Sequence, residues 1–194
     1  MRENPGPISV RQAQTRKDLV VAAMDLPAVH VELCAFPELS AETVRGVEFQ
    51  SVLSLGLSSL LEAAEGRFAT AGAPRFTRYG PLNFRPAGVP FEVRVSKGHY
   101  HTVRCRFEPD AAWITPVGSG ALSEAQLEAC FDIHSPRIED AMLRLAEELT
   151  APTPESRALA GALVKTIAID LARYLADADR HAMQAGGGLA PRHL

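Results

Sequence analysis

Gly80-Pro81-Leu82-Asn83-Phe84-Arg85-Pro86-Ala87-Gly88-Val89-Pro90-Phe91 is the stretch around which the rest of the chain can be organised. Tyr79-Gly80-Pro81 marks a turn at its start. Beyond it, Phe91, Val93 and Val95 alternate with Glu92 and Arg94, the period of a half-buried strand. The same alternation recurs on both sides. Upstream, Val29, Val31 and Leu33 alternate with His30, Glu32 and Cys34; downstream, Val103, Cys105 and Phe107 alternate with Thr102, Arg104 and Arg106. Val47–Leu61 is a longer apolar stretch, read as one or two strands. Gly66, Gly72-Ala73-Pro74 and Lys97-Gly98 mark further turns. Short strands at regular spacing from about Leu26 to Phe107 predict a barrel or sandwich.

Past Gly118-Ser119-Gly120, itself read as a turn, the texture becomes helical. Ser123 with Gln126 three residues on is a capping box that opens a short helix. Ser135-Pro136 offers an N-cap with proline at the first helical position. That helix is predicted to run to about Leu149, with Ile138, Met142, Leu145 and Leu149 on one face. Thr153-Pro154-Glu155 repeats the start signal, and the next helix is predicted to reach about Ala178 or beyond. Leu159, Leu163, Ile167, Leu171 and Tyr174 form its continuous stripe. The short Ala151-Pro152 connection predicts antiparallel neighbours.

Composition excludes several classes. The chain has 194 residues, 46% hydrophobic and 22% charged, which is globular rather than disordered. A chain of this length buries roughly 70% of its unfolded surface. The net charge of −3 and pI near 6.1 argue against a stand-alone nucleic-acid binder, which is usually strongly basic. Leu19–Met24 typifies the apolar runs, all too short for a transmembrane helix. Met1–Val10 holds Asn4, Pro5 and Pro7 and no apolar core, so it is not read as a secretory signal. Cys34, Cys105 and Cys130, an odd number without CxxC spacing, predict buried reduced thiols and a cytoplasmic protein.

Catalytic motifs are scarce: the sequence has no GxSxG, P-loop, HExxH or GxGxxG. His30-Val31-Glu32 has the HxE form of zinc deaminases but lacks the Pro-Cys-x-x-Cys partner, so it is read as a strand with a polar face. His99 and His101 fall on the same side of a strand as Val103, Cys105 and Phe107. If that side is the barrel interior, both imidazoles line it; the alternative is a solvated rim beside Gly98. Arg104 and Arg106 are read as a solvated strand face. Trp113 is assigned to core packing.

The framework Gly80, five residues, Pro86, one residue, Gly88 resembles the second motif of the cupin superfamily. Where a metal cupin keeps its His and Asn, this chain has Phe91 and Val95, and phenylalanine has no lone pair for a metal. The resemblance thus implies a cupin scaffold without the cupin metal: no metal and no cofactor. More widely, Pro81–Pro90, the helical pair from Cys130-Phe131-Asp132-Ile133-His134 through Asp170-Leu171-Ala172-Arg173-Tyr174-Leu175, and the closing Gly187–Leu194 resemble the N-terminal sensor half of AraC-type transcriptional regulators. The fold implied is α+β, a cupin-like jelly-roll β-barrel followed by an antiparallel α-helical hairpin. Its divisions are an N-terminal arm (1–16), the barrel sensor (17–120), a helical dimerisation hairpin (121–184) and a linker (185–194) toward an absent helix-turn-helix domain.

On that resemblance the chain is a non-enzymatic sensor and dimerisation module. Its partners are a small-molecule effector and a second copy held through the C-terminal helices. DNA contact would come only through the missing domain, and no membrane is involved. The candidate ligand-binding residues are Phe49, Phe84, Phe91, His99 and His101; the candidate dimer residues are Leu159, Leu163, Ile167 and Leu171. A small cupin enzyme, a metal-dependent isomerase or oxygenase drawing on His30, His99 and His101, is the alternative.

Overall fold

The computed structural model describes residues 19–39, 41–59, 64–69, 75–109 and 122–186. Among them, nine strands run in chain order as β1 (Val20–Leu26), β2 (Val29–Leu39), β3 (Glu42–Val47), β4 (Ser51–Ser59), β5 (Ala64–Phe68), β6 (Thr77–Arg78), β7 (Leu82–Arg85), β8 (Pro90–Val95) and β9 (Gly98–Phe107). They make two antiparallel sheets, one ordered β1-β2-β9-β4-β7 and the other β3-β8-β5-β6. Three helices follow: α1 (Glu124–Ala129), α2 (Pro136–Thr150) and α3 (Ser156–Gly186).

Register turns the alternation of each strand into rows across the five-stranded sheet. Val31, Cys105, Leu53 and Phe84 stand side by side, and Leu33, Val103, Leu55 and Leu82 form the next apolar row. Between these rows, on the opposite face, lie Glu32, Arg104, Ser54 and Asn83, and then His30, Arg106, Val52 and Arg85. Side chains alternate faces at period two, so apolar and polar rows alternate, with Val52 the one apolar member of the two polar rows.

The helical segment covers the apolar rows. Met142 Sδ lies 3.7 Å from Cys105 Sγ. The Phe84 N–H donates to the Cys130 carbonyl at 2.7 Å, and the Ile133 N–H to the Leu82 carbonyl at 2.9 Å. Ile138, Met142, Leu145 and Leu149 of α2 are buried, as are Leu163, Ile167, Leu171 and Leu175 of α3, and α2 and α3 pack on each other. Burying such side chains stabilises the fold by roughly 1.5–3 kcal/mol each. The other face of the five-stranded sheet is turned toward the second sheet; the Arg85 guanidinium lies over the Phe91 ring of β8 at 5.5 Å.

The start signals of the helices are realised unequally. Ser123 and Gln126 form the reciprocal capping box on α1. Ser135 caps α2 by position only, without a side-chain hydrogen bond. At α3 the Thr153 N–H donates to Ser156 Oγ at 2.8 Å, and the helix begins at Ser156, after a turn. It runs on to Gly186, in keeping with an end at Ala178 or beyond. Val47–Leu61 divides into the end of β3 and all of β4.

Two expectations change here. Gly66 is not a turn; it sits inside β5, where a Cβ would come within 3.0 Å of the Phe131 ring. Glycine at that point permits a close approach. The stripe Leu163, Ile167 and Leu171 is covered by its own chain, and Leu159 is half-buried, so this face is not open to a partner. The face nearly opposite the stripe, displaced from it by about 160°, carries Ile169, which is 51% exposed. The 1–16 arm, Gly72-Ala73-Pro74, Trp113, Gly118-Ser119-Gly120 and residues 187–194 of the closing linker lie outside the described residues, while 185 and 186, predicted as linker, belong to α3. No helix among the described residues is long and apolar enough to cross a membrane.

Ile167→Ala is expected to cost about 2–5 kcal/mol in urea unfolding, the loss of a filled core site. Leu143→Ser, at an exposed position of α2, is expected to stay within about 0.5 kcal/mol of the parent. Equal effects would mean that the stripe is not the packed face.

Candidate functional site

The polar rows carry most of the chemistry of the molecule, and they are enclosed. Glu32 is 3% exposed, Glu48 is 5% and Asn83 is 0%. Buried charges persist only when paired, and these are. Glu32 Oε1 lies 2.9 Å from Arg106 Nη2 and 3.8 Å from Arg104 Nη1. Glu48 Oε1 accepts from Arg85 Nε at 3.0 Å, and its other oxygen lies 3.8 Å from Arg106 Nη1. Three guanidiniums and two carboxylates therefore share one face.

Hydroxyl and amide groups extend the network. Arg85 Nη1 donates to the Tyr79 hydroxyl at 2.5 Å, and that hydroxyl donates to Asn83 Oδ1 at 2.7 Å. The Asn83 amide in turn donates to the Gly80 carbonyl at 3.2 Å, tying the network to the turn before β7. Thr102 Oγ1 donates to the Leu55 carbonyl at 2.9 Å. The Tyr100 ring lies against Gly56, where a Cβ would come within 2.9 Å of its Cε2. Phe36 lies beneath Arg104 at 5.0 Å, as Phe91 does beneath Arg85; both are cation–π contacts.

The environment shifts these groups in different directions. Burial first, and then the positive charge of Arg85, hold the Arg104 guanidinium below its ordinary pKa. Burial also works against the charge of Arg85, but Tyr79 and Glu48 more than offset it and its pKa stands above the ordinary value. Burial, followed by Tyr79, pushes the Tyr100 phenol up. Cys34, opposite Thr102 on this face, is raised to about 11, chiefly by burial. Cys105 and Cys130 are raised to about 12 by burial. All three are buried thiols rather than activated nucleophiles.

The expected ligand residues are not brought together. Phe91 faces the enclosed polar side. Phe84 is fully buried on the opposite, helix-covered face. Phe49 stands in the β3–β4 connection and is 69% exposed. His99 and His101 do share a face with Val103 and Cys105, but that face belongs to the helices, and both imidazoles are exposed at the strand end beyond them. His30 pairs with Arg106 whereas His101 pairs with Ala35. Five residues of strand, about 17 Å, separate the two histidines. Among the described residues no group of three or more His, Cys, Asp or Glu is placed to hold a metal ion.

Arg104 and Arg106, expected on a solvated face, belong instead to the enclosed network with Arg85, Glu32 and Glu48. The available signal was charge complementarity: Glu32 against Arg104 and Arg106 at the polar positions of separate strands. The outer face of the second sheet has its own pairing, with Glu92 accepting from Arg45 at 3.1 Å and from Arg67 at 2.7 Å. Burial disfavours the Glu92 carboxylate, but those two arginines outweigh it and lower its pKa.

No protein-family model matches the chain, and no curated protein sequence matches it. Solved structures do. The chain is similar to the AraC-like transcriptional activator CuxR, at 13% identity over 94% of this chain and 71% of that one, TM-score 0.49. It is similar to a cupin superfamily protein from Desulfitobacterium hafniense, at 19% identity over 56% of this chain and 94% of that one, TM-score 0.34. It is also similar to an oxalate decarboxylase from Bacillus subtilis, at 11% identity over 76% of this chain and 42% of that one, TM-score 0.30. The last of these corrects the expectation of a non-enzymatic chain, because structures similar to it include an enzyme.

Glu48→Ala leaves Arg85 buried without its carboxylate and is expected to cost about 3–5 kcal/mol in denaturant unfolding. Glu92 has a folded pKa below its unfolded value near 4.3. Its contribution is present above that value and lost as pH falls through the folded one. Stability profiles of Glu92→Gln and the parent should therefore converge below about pH 4. Parallel profiles would remove Glu92 from the acid limb.

Proposed function

We propose that the chain is the ligand-sensing domain of an AraC-type transcriptional regulator, with the enclosed polar face as its effector site. The observation that carries this reading is the physical link from that face to the helices. The Tyr79 hydroxyl touches Arg85 and Asn83, while its ring packs on Phe131 with centroids 5.9 Å apart. Phe131 stands between α1 and α2, stacks on Phe68 at 4.2 Å, and accepts at its carbonyl from the Gly80 N–H at 2.8 Å. An effector that draws on Arg85 changes the partner of the Tyr79 hydroxyl. The ring of the same residue then changes its contact with the α1–α2 connection. Coupling of this kind requires an effector that favours one of two arrangements. Homodimerisation through the C-terminal helices is part of the proposal, with the Ile169 face of α3 as its contact in place of the buried stripe.

Native mass spectrometry of the chain as purified reads stoichiometry, metal and retained small molecules together. The expected species is a metal-free dimer carrying an organic adduct or taking one up from a metabolite panel. A single metal ion per chain, or a strict monomer that no panel compound stabilises, would overturn the proposal. With an adduct in hand, hydrogen exchange at Phe131–Ile133 should slow on binding, and Tyr79→Phe should abolish that change while retaining most of the affinity.

A further inference from the structure

We propose that the part of the enclosed face around Arg85, Ser54 and Arg104 is a receptor for a small organic anion, gripped by its carboxylate or phosphate head group. This rests on the sensing proposal and supplies the class of its ligand. Register sets the three residues together: Ser54 of β4 stands opposite Arg104 of β9 on one side and Asn83 of β7 on the other, and Arg85 is two residues along from Asn83. Ser54 is 2% exposed, and its hydroxyl finds no hydrogen-bond partner among the described residues. A buried hydroxyl is a donor that favours an acceptor, and an oxyanion is the acceptor that also suits two neighbouring guanidiniums.

The arginines point to the same class. Arg85 lies within field range of Arg104 and opposes its charge. Glu48 is engaged with Arg85 at 3.0 Å, and Glu32 with both Arg106 at 2.9 Å and Arg104 at 3.8 Å, so two carboxylates serve three guanidiniums on this face. Two like charges on an enclosed face repel in a medium that screens them poorly; an anion between them turns that repulsion into attraction. A guanidinium presents a planar fork that matches carboxylate or phosphate oxygens. Phe36 and Phe91, beneath Arg104 and Arg85, supply apolar walls beside the charged end. The ligand class is thus an anionic head on a compact apolar or aromatic body.

The test uses the whole chain with inorganic phosphate, succinate and benzoate, with benzamide as the neutral counterpart of benzoate and potassium chloride at matched ionic strength. Thermal unfolding and titration calorimetry are the readouts. At millimolar concentration at least one oxyanion should raise the Tm saturably, whereas benzamide and chloride should not; benzoate against phosphate decides between the two head groups. Arg104→Met and Ser54→Ala should each weaken binding about tenfold or more, from loss of a charged or buried hydrogen bond. Arg94→Met, on the outer face of the second sheet, should bind as the parent does. If Arg104→Met fails to fold, Arg104→Lys and Ser54→Ala carry the same test.

Anion binding unaffected by Arg104→Lys and Ser54→Ala, equal loss in Arg94→Met, or no oxyanion effect beyond chloride would overturn the anion class. A neutral compound that binds and slows exchange at Phe131–Ile133, where anions do neither, would leave the sensing proposal standing and remove this one. Anion binding without any exchange response there would support the receptor and count against the sensing proposal.

Discussion

Everything else in the molecule depends on which side of the five-stranded sheet is given to the helices. Both faces of β2, β4, β7 and β9 are regular, one apolar and one polar. The helices are amphipathic, and they take the apolar rows through Met142, Cys130 and Ile133. The polar rows are then left facing the second sheet. In an ordinary sandwich the two inner faces interdigitate as the apolar core and the outward rows meet water. Here the apolar rows of the five-stranded sheet lie between sheet and helix, and the space between sheets receives Glu32, Arg85, Arg104 and Arg106.

That placement dictates the pairing. Charges withdrawn from water must find partners or be neutralised, and the pairs meet across strands rather than along them. Arg85 meets Glu48, 37 residues away, and Arg106 meets Glu32, 74 away. Such contacts form only when the whole sheet is in register, because a slip by one residue would send every guanidinium to the helix side. The network thus specifies the register more than it adds net stability, since replacing buried ion pairs by apolar groups is often neutral or better.

The sequence made some of this readable and hid the rest for a physical reason. Alternation in Val103-Arg104-Cys105-Arg106-Phe107 announced a strand, and its parity correctly set His99 and His101 with the apolar residues. Parity does not say which face is inside, however. Equating the apolar face with the barrel interior misplaced Phe84 and released Arg104 and Arg106 to solvent, whereas His99 and His101 stand exposed at the strand end, as the alternative of a solvated rim beside Gly98 has them. The helix stripes contained the missing information: apolar faces on both α2 and α3 need an apolar sheet face to cover. The Ser123–Gln126 box was legible because it is local, with donor and acceptor three residues apart. Gly66 was misread because its close approach is to Phe131, 65 residues later, and a glycine required by a distant ring looks like one required by a turn.

The same geometry joins the enclosed face to the surface of the chain. A residue of β7 or β9 touches the polar network on one side, and its immediate neighbour touches the helices on the other. Asn83 and Arg85 are inside; Leu82 and Phe84, between and beside them, hold the 130–133 segment through backbone hydrogen bonds. Tyr79 spans both in a single side chain, with its hydroxyl in the network and its ring on Phe131. Packed interiors have little free volume in which to absorb a shift locally. Arg85, Tyr79 and Phe131 are thus a continuous run of contacts from the polar network to the α1–α2 connection, where Phe131 stacks on Phe68 and lies beside Gly66. An arrangement in which the charged interior and the helical cover shared no strand would lack that property, whatever its ligand.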